Sequence, residues 1–183
     1  REEFRELVET EQWDKLFRVV TIKKGQYTYG PQGTLHGSPY APTEEEKDMV
    51  ELGFETNSDI TYRLYDWGRN MPDRPLHVEK VIETVNIPDD QNMGVDIVEK
   101  DIDGYKVAYF IDKPGIFTAF RIRVDENGTF ERKEFMFLFC IDGEAEINGT
   151  VIKKGETIFI PCDYGTLTIK GKAEFGGMTY RNL

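Results

Sequence analysis

The sequence predicts an all-β chain with a few short helices near its front. Three observations predict it. Residues 95–183 break into short runs of β-branched and aromatic residues, among them Val107–Ile111, Phe117–Val124, Phe135–Ile141, Glu144–Asn148, Thr157–Ile160 and Thr166–Ile169. The runs are separated by Asp103-Gly104, Asn127-Gly128, Asp142-Gly143, Asn148-Gly149 and Lys154-Gly155, pairs suited to tight hairpin turns. A G-x5-P pattern occurs twice, at Gly25–Pro31 and at Gly155–Pro161, and marks an internal repeat. Together these describe an antiparallel barrel or sandwich.

The elements follow in order. Phe4, Leu7 and Val8 stand at i, i+3 and i+4, and Trp13, Leu16 and Phe17 repeat the spacing. This reads as helix with a break near Thr10, which is suited to cap a second short helix. The apolar stripe is core. Residues 18–36 read as two strands around Lys23-Lys24-Gly25, the first being the β-branched run Arg18–Ile22. After Gln26–Tyr29, Pro31 fixes φ and Gly33 permits a positive φ, so the chain turns tightly. Thr34-Leu35-His36 resumes an extended path, with Leu35 and His36 on opposite faces.

His36 is one of two histidines, and it sits just past that turn. A ring aimed by a rigid turn suits a metal ligand. A lone histidine at the mouth of a sheet is also commonly a satisfied polar residue. One histidine does not make a site, since zinc takes about three or four protein ligands.

Ser38–Asp48 is polar, proline-bearing and acidic, hence a loop, with Glu44, Glu45 and Asp48 better read as solvated charges than as ligands. Ile60, Tyr62 and Leu64 alternate with Thr61, Arg63 and Tyr65, which predicts a two-faced strand. Arg63 is then carried on a rigid element, with Asp59 and Asp66 as ion-pair partners in the plain structural reading. Val78, Val81, Ile82 and Val85 share one side of a helix that begins near His77, which reads as structural.

Composition bounds the function. Lys and Arg number 23 against 34 Asp and Glu, a net charge of −11. No basic stripe is present, which argues against nucleic acid and anionic membranes as partners. No run approaches the roughly 20 apolar residues of a membrane span. Cys140 and Cys162 both lie in apolar strand-like runs and read as buried small hydrophobes in a reduced, cytoplasmic protein.

A resemblance sharpens this. Gly25 to His36, as G-x5-P-x-G-x2-H, resembles the second motif of cupin barrels. Ser58-Asp59-Ile60-Thr61-Tyr62-Arg63-Leu64-Tyr65-Asp66, followed by Arg74-Pro75-Leu76-His77-Val78-Glu79-Lys80, resembles the short bacterial form of type I mannose-6-phosphate isomerases. The resemblance is close over residues 1–85 and looser beyond. It implies a cupin jelly roll, the C-terminal part of a two-cupin chain. Residues 1–90 would be the later part of a first, catalytic cupin, and 91–183 a second cupin without metal ligands. In that second cupin Asp163 stands where the motif has Gly and Thr166 where it has His, and no His follows position 77.

The resemblance also implies a function. Mannose 6-phosphate and fructose 6-phosphate would be interconverted with a bound zinc ion. His36 would be the metal ligand of the turn motif and Arg63 the pocket arginine that steadies an enediolate oxyanion. The family's other ligands, a Gln, a His and a Glu, come from upstream and have no counterpart here. The chain is therefore expected to be the C-terminal portion, partnered by the N-terminal remainder of the same protein and nearly inactive alone. Gly37 stands where Ala is usual, and Gly53, Glu55 and Thr56 where Glu and Gln are common, changes that bear on substrate preference. The competing reading is a non-catalytic sugar-phosphate-binding or interaction cupin with one ligand left.

Overall fold

A computed structural model describes residues 1–37, 50–58, 60–69, 71–90, 94–102, 104–113 and 117–180. The chain forms two compact units, Arg1–Glu51 with Ser58–Asp96, and Leu52–Asn57 with Ile97–Leu183. The acidic loop with Glu44, Glu45 and Asp48, the ion-pair candidate Asp59 and the turn residue Asp103 lie outside the described residues.

The first unit holds α1 (Glu2–Glu9), α2 (Trp13–Leu16), β1 (Gln26–Tyr27), α3 (Val78–Thr84) and β2 (Val95–Asp96). Val8, Leu64, Val81 and Val85 form its core, with Phe4, Trp13, Leu16, Leu35 and Val78 packed around them. The i, i+3, i+4 stripe of α1 thus faces inward through Phe4 and Val8. Thr10 does not cap α2. It ends α1, donating its hydroxyl to the Glu6 carbonyl at 2.6 Å, and Gln12 occupies the α2 N-cap position. The guanidinium of Arg1 donates to the carbonyls of Ile82 and Val85 (the latter at 2.9 Å) at the C-terminal end of α3, where a cation meets the negative end of the helix dipole. Arg5 grips Glu79 of α3 through two bonds of 2.6 and 2.7 Å.

Two predicted strands of this unit do not form. Arg18–Ile22 has no strand pairing, and Val19 is 97% exposed. β1 shrinks to Gln26–Tyr27 and pairs with β2 instead. The segment 60–65 forms no strand and bends at Leu64, and Ile60 is 70% exposed while Leu64 is buried. Alternation reports which side chains turn inward; it does not supply a neighbouring strand.

The second unit is one eight-stranded antiparallel sheet. It comprises β3 (Lys100–Ile102), β4 (Tyr105–Lys113), β5 (Phe117–Val124), β6 (Asn127–Glu131), β7 (Met136–Ile147), β8 (Thr150–Lys153), β9 (Thr157–Ile160) and β10 (Thr166–Thr179). The order runs β3-β4-β5-β10-β7-β8, with β6 also on β10 and β9 also on β7. The two long strands carry the fold. β10 pairs with β6 through Thr166–Lys170 and with β5 through Ala173–Thr179. β7 pairs with β9 through Met136–Phe139 and with β8 through Glu144–Ile147. Each long strand therefore changes its outer partner midway, and a glycine of positive φ stands near each change, Gly143 in β7 and Gly171 in β10.

Asp142-Gly143 is consequently not the predicted hairpin turn. The register slips between Glu174 and Phe175, which pair with Asp142 and Cys140, leaving Ile141 as the extra residue of a bulge. Burial records the slip: Met136, Leu138 and Cys140 face the core before it, Ala145 and Ile147 after it. Asn127-Gly128 likewise lies inside β6, and the chain bends at residues 125 and 126. Asn148-Gly149 is the predicted tight turn, with φ of 46° and 88°. The interior is filled by Phe120, Ile122, Leu138, Leu167, Ile169 and Phe175, each fully buried. Fully burying such a side chain contributes roughly 1.5–3 kcal/mol. Of the two cysteines, both free, Cys140 is in this core, whereas Cys162 is exposed, contrary to the sequence expectation.

Candidate functional site

The predicted turn after β1 forms. Thr34 N donates to Pro31 O at 3.0 Å, and Gly33 takes φ +86°. The turn is docked on the end of α3: Asn86 N donates to Gly33 O, and Asn86 Nδ2 to Gln32 O, both at 2.9 Å. A Cβ on Gly33 would meet Thr84 O at 2.8 Å, so this position has room for glycine alone. Beyond the turn, His36 is exposed and its ring lies beside Gly30.

The His36 ring has a defined chemistry. Nδ1 lies 3.0 Å from Thr34 O. A carbonyl only accepts, so this contact places a proton on Nδ1, and in the neutral ring Nε2 is then the nitrogen with a lone pair. Metal-bound histidines are typically held this way, with the far nitrogen donating to a backbone carbonyl. His36 therefore fits the part of a single ligand. Among the described residues no group of three or more His, Cys, Asp or Glu converges to complete a metal site.

Arg63 sits in the same unit and is held at several points. Its amide N donates to His77 Nδ1 at 3.3 Å, and its carbonyl accepts from His77 N at 2.7 Å. Its guanidinium reaches Pro75 O at 3.4 Å and Asp66 Oδ1 at 3.7 Å. No hydrogen bond or ion pair joins Arg63 to His36 among the described residues.

Asp66 is the centre of this region. It is 6% exposed and takes Arg69 at 2.6 Å on Oδ1 and Arg74 at 3.0 and 3.2 Å on both oxygens. Arg74 was not foreseen from sequence; the only signal is an acid among arginines over a dozen residues, which also describes a solvated turn. The hydrogen bond from Arg74, then the charges of Arg69 and Arg74, hold the Asp66 carboxyl below the usual carboxylate range against the cost of burial.

The sign of the pH dependence follows. A carboxyl that titrates lower when folded stabilises fully above its unfolded value, about 4, and that stabilisation is lost as pH falls through the folded value. Trp13 and Trp67 are the only tryptophans, and both lie in the first unit, so tryptophan fluorescence reads its unfolding. The urea midpoint should drop below about pH 4, and Asp66→Asn should flatten that acid limb. An unchanged limb in Asp66→Asn would assign the effect to other carboxylates, of which Glu79, lowered by its bond from Arg5, is first.

A cleft of about 590 Å³ opens beside the Asp66 cluster, lined by Trp13, Leu64, Tyr65, Arg69, Arg74 and Leu76 among others. Neither His36 nor Arg63 lines it.

The repeat seen in the sequence has a structural counterpart in the second unit. Gly155 takes φ +88°, β9 follows, and a turn at Cys162-Asp163 leads into β10. Thr166, in the place of His36, donates its hydroxyl to Glu131 at 3.0 Å.

Comparison with known proteins places this architecture. Residues 109–176 match the family described as mannose-6-phosphate isomerase, cupin domain. Two curated Bacillus subtilis (strain 168) proteins are similar along almost the whole chain. One, named probable mannose-6-phosphate isomerase GmuF, is 28% identical over 96% of this chain and 55% of its own. The other, named mannose-6-phosphate isomerase ManA, is 29% identical over 95% of this chain and 55% of its own. The chain thus spans about half the length of the curated relatives it matches. A crystal structure of a mannose 6-phosphate isomerase from Bacillus subtilis superposes with a TM-score of 0.58 at 23% identity, covering 67% of this chain and 41% of that one, a likeness of fold. The antiparallel sheet, its filled core and these matches make the chain an all-β cupin, similar along most of its length to proteins named mannose-6-phosphate isomerases.

Proposed function

We propose that the full-length gene product is a metal-dependent aldose–ketose isomerase interconverting mannose 6-phosphate and fructose 6-phosphate, and that the first unit carries part of its reacting site. The observation that carries this is similarity along nearly the entire chain to proteins named as such isomerases. The local chemistry supports it.

Thr34 O holds Nδ1 of the exposed His36, which leaves Nε2 as the ligating nitrogen, an arrangement typical of metal-bound histidines. The remaining ligands are assigned to residues outside the described set. When bound, zinc would supply a Lewis acid to the sugar oxygens. Arg63 would meet the negative charge that builds on the C1 and C2 oxygens as a proton moves between the carbons. A guanidinium suits this task because it keeps its charge and presents paired donors. The second unit would have a packing role: Phe120, Leu138 and Phe175 fill its interior, and the chain has no histidine after His77.

Metal analysis with turnover on the full-length protein tests this. Wild type should hold about one equivalent of zinc. His36→Ala should lose most of it, together with isomerase activity. Full zinc content in His36→Ala would remove His36 from the ligand set. A protein that binds hexose phosphate without turning it over would favour the binding-module reading.

A further inference from the structure

We propose that His77 is a positioning residue for Arg63, acting through a neutral imidazole whose bare Nδ1 accepts the Arg63 amide; its catalytic purpose rests on the isomerase reading above. The two backbone groups of residue 63 are both taken by residue 77. Arg63 N donates to His77 Nδ1 at 3.3 Å, and His77 N donates to Arg63 O at 2.7 Å. A backbone amide only donates, so Nδ1 carries no proton and the ring proton sits on Nε2. The tautomer is opposite to that of His36, whose Nδ1 faces a carbonyl.

This clamp does the work a sheet would otherwise do. Residues 60–65 pair with no strand, so no ladder fixes the Arg63 backbone. The imidazole takes the place of the missing strand carbonyl. His77 is itself anchored: it is the N-cap residue of α3, and its carbonyl accepts from Val81 N at 2.9 Å. Val81 and Ile82 bury that helix. The Tyr62 ring lies 5.9 Å from the imidazole, and Lys80 Nζ stands 5.3 Å from the Tyr62 ring centre. Two residues before His77, Pro75 O accepts from the Arg63 guanidinium at 3.4 Å, so the same segment holds both the main chain and the side chain of Arg63. What matters at position 77 is therefore an acceptor at the Nδ1 place, not an aromatic ring.

Two substitutions separate these. His77→Asn puts an amide oxygen near the Nδ1 position and remains a good N-cap residue. His77→Phe keeps the ring and removes the acceptor. In the full-length enzyme, His77→Phe should lower kcat by about tenfold or more, since small displacements of a reacting group are costly. Its KM should change by less than about twofold, because an interaction realised in the transition state is lost. His77→Asn should recover kcat to within about threefold of wild type.

Nitrogen-15 spectra of the imidazoles supply a readout that needs no activity. With two histidines in this chain, isotope labelling of histidine in the 183-residue chain gives two rings to assign. His77 should show an unprotonated Nδ1 and His36 a protonated one. Wild-type kcat in His77→Phe, or a proton on Nδ1 of His77 in the wild-type spectrum, would overturn the proposal. If both variants fail to fold, the wild-type spectrum decides it. A full-length wild type with no isomerase activity would overturn the functional reading and the clamp's catalytic purpose, while the clamp itself would still stand or fall on the spectrum.

Discussion

Gly143→Ala should destabilise the sheet unit by about 3 kcal/mol, the sum of a strained backbone and a clash that has no easy relief. Gly143 has φ +78°, a region that favours glycine. The added Cβ would stand 2.1 Å from Lys172 O and 3.1 Å from Ala173 Cα. Both obstacles are backbone of β10, which is held on its other edge by β5 and β6. A flexible side chain would move aside; a central strand does not. Gly149→Ala is the matched control. Its φ is +88°, but no atom lies within 4 Å of the added Cβ. It should lose only about 1 kcal/mol, the conformational part. Urea unfolding followed by far-ultraviolet circular dichroism separates the two. Equal losses in both variants would show that β10 yields at Lys172.

Arg63→Ala should reduce kcat of the full-length enzyme by about 10²- to 10³-fold, the usual effect of removing one preorganised donor to a developing oxyanion. Metal content should stay near wild type, since Arg63 is no ligand. Folding should survive as well, because Asp66 keeps Arg69 at 2.6 Å and Arg74 at 3.0 Å when the 3.7 Å contact to Arg63 is removed. Arg63→Lys tests the fork: it keeps the charge and loses the paired donors, and should recover only part of the rate. Wild-type kcat in Arg63→Ala would remove the residue from the reacting site and leave it as one of three arginines around a buried aspartate.

The contrast between these positions shows what local reading of a chain achieves. Pro31 and Gly33 predict a turn because the proline ring restricts φ and glycine tolerates a positive one, and both effects belong to the residue itself. The turn forms as predicted, as does the hairpin at Asn148-Gly149. α3 was legible for the same kind of reason: Val78, Val81, Ile82 and Val85 recur at helical spacing whatever they pack against. His36 and Arg63 were singled out by spacing and resemblance, and each has a defined set of hydrogen-bond partners in the fold.

Other features depended on partners distant in sequence. Asp142-Gly143 has turn chemistry, but β10 runs past it on the same side before and after, so both residues stay paired, with Glu174 and Ala173, and the strand continues past a bulge at Ile141. A clue was present in the change of parity from Met136, Leu138 and Cys140 to Ala145 and Ile147. Ile60–Tyr65 alternates like a strand, yet the groups that take up the Arg63 backbone belong to His77, 14 residues away. Arg74 joins Asp66 from eight residues beyond it, across a turn.

The sequence by itself determined the all-β class, the turn that precedes His36 and the start of α3, and it carried the resemblance to mannose-6-phosphate isomerases. Tertiary structure decided the rest: that two long strands change their outer partners around Gly143 and Gly171, that Asp66 gathers three arginines, and that Nδ1 of His36 faces a carbonyl while Nδ1 of His77 faces an amide. The reason is physical. Turns and helix faces depend on torsions and spacings written within a few residues. Register, bulges and the proton on an imidazole are set by whichever donor or acceptor the fold brings opposite.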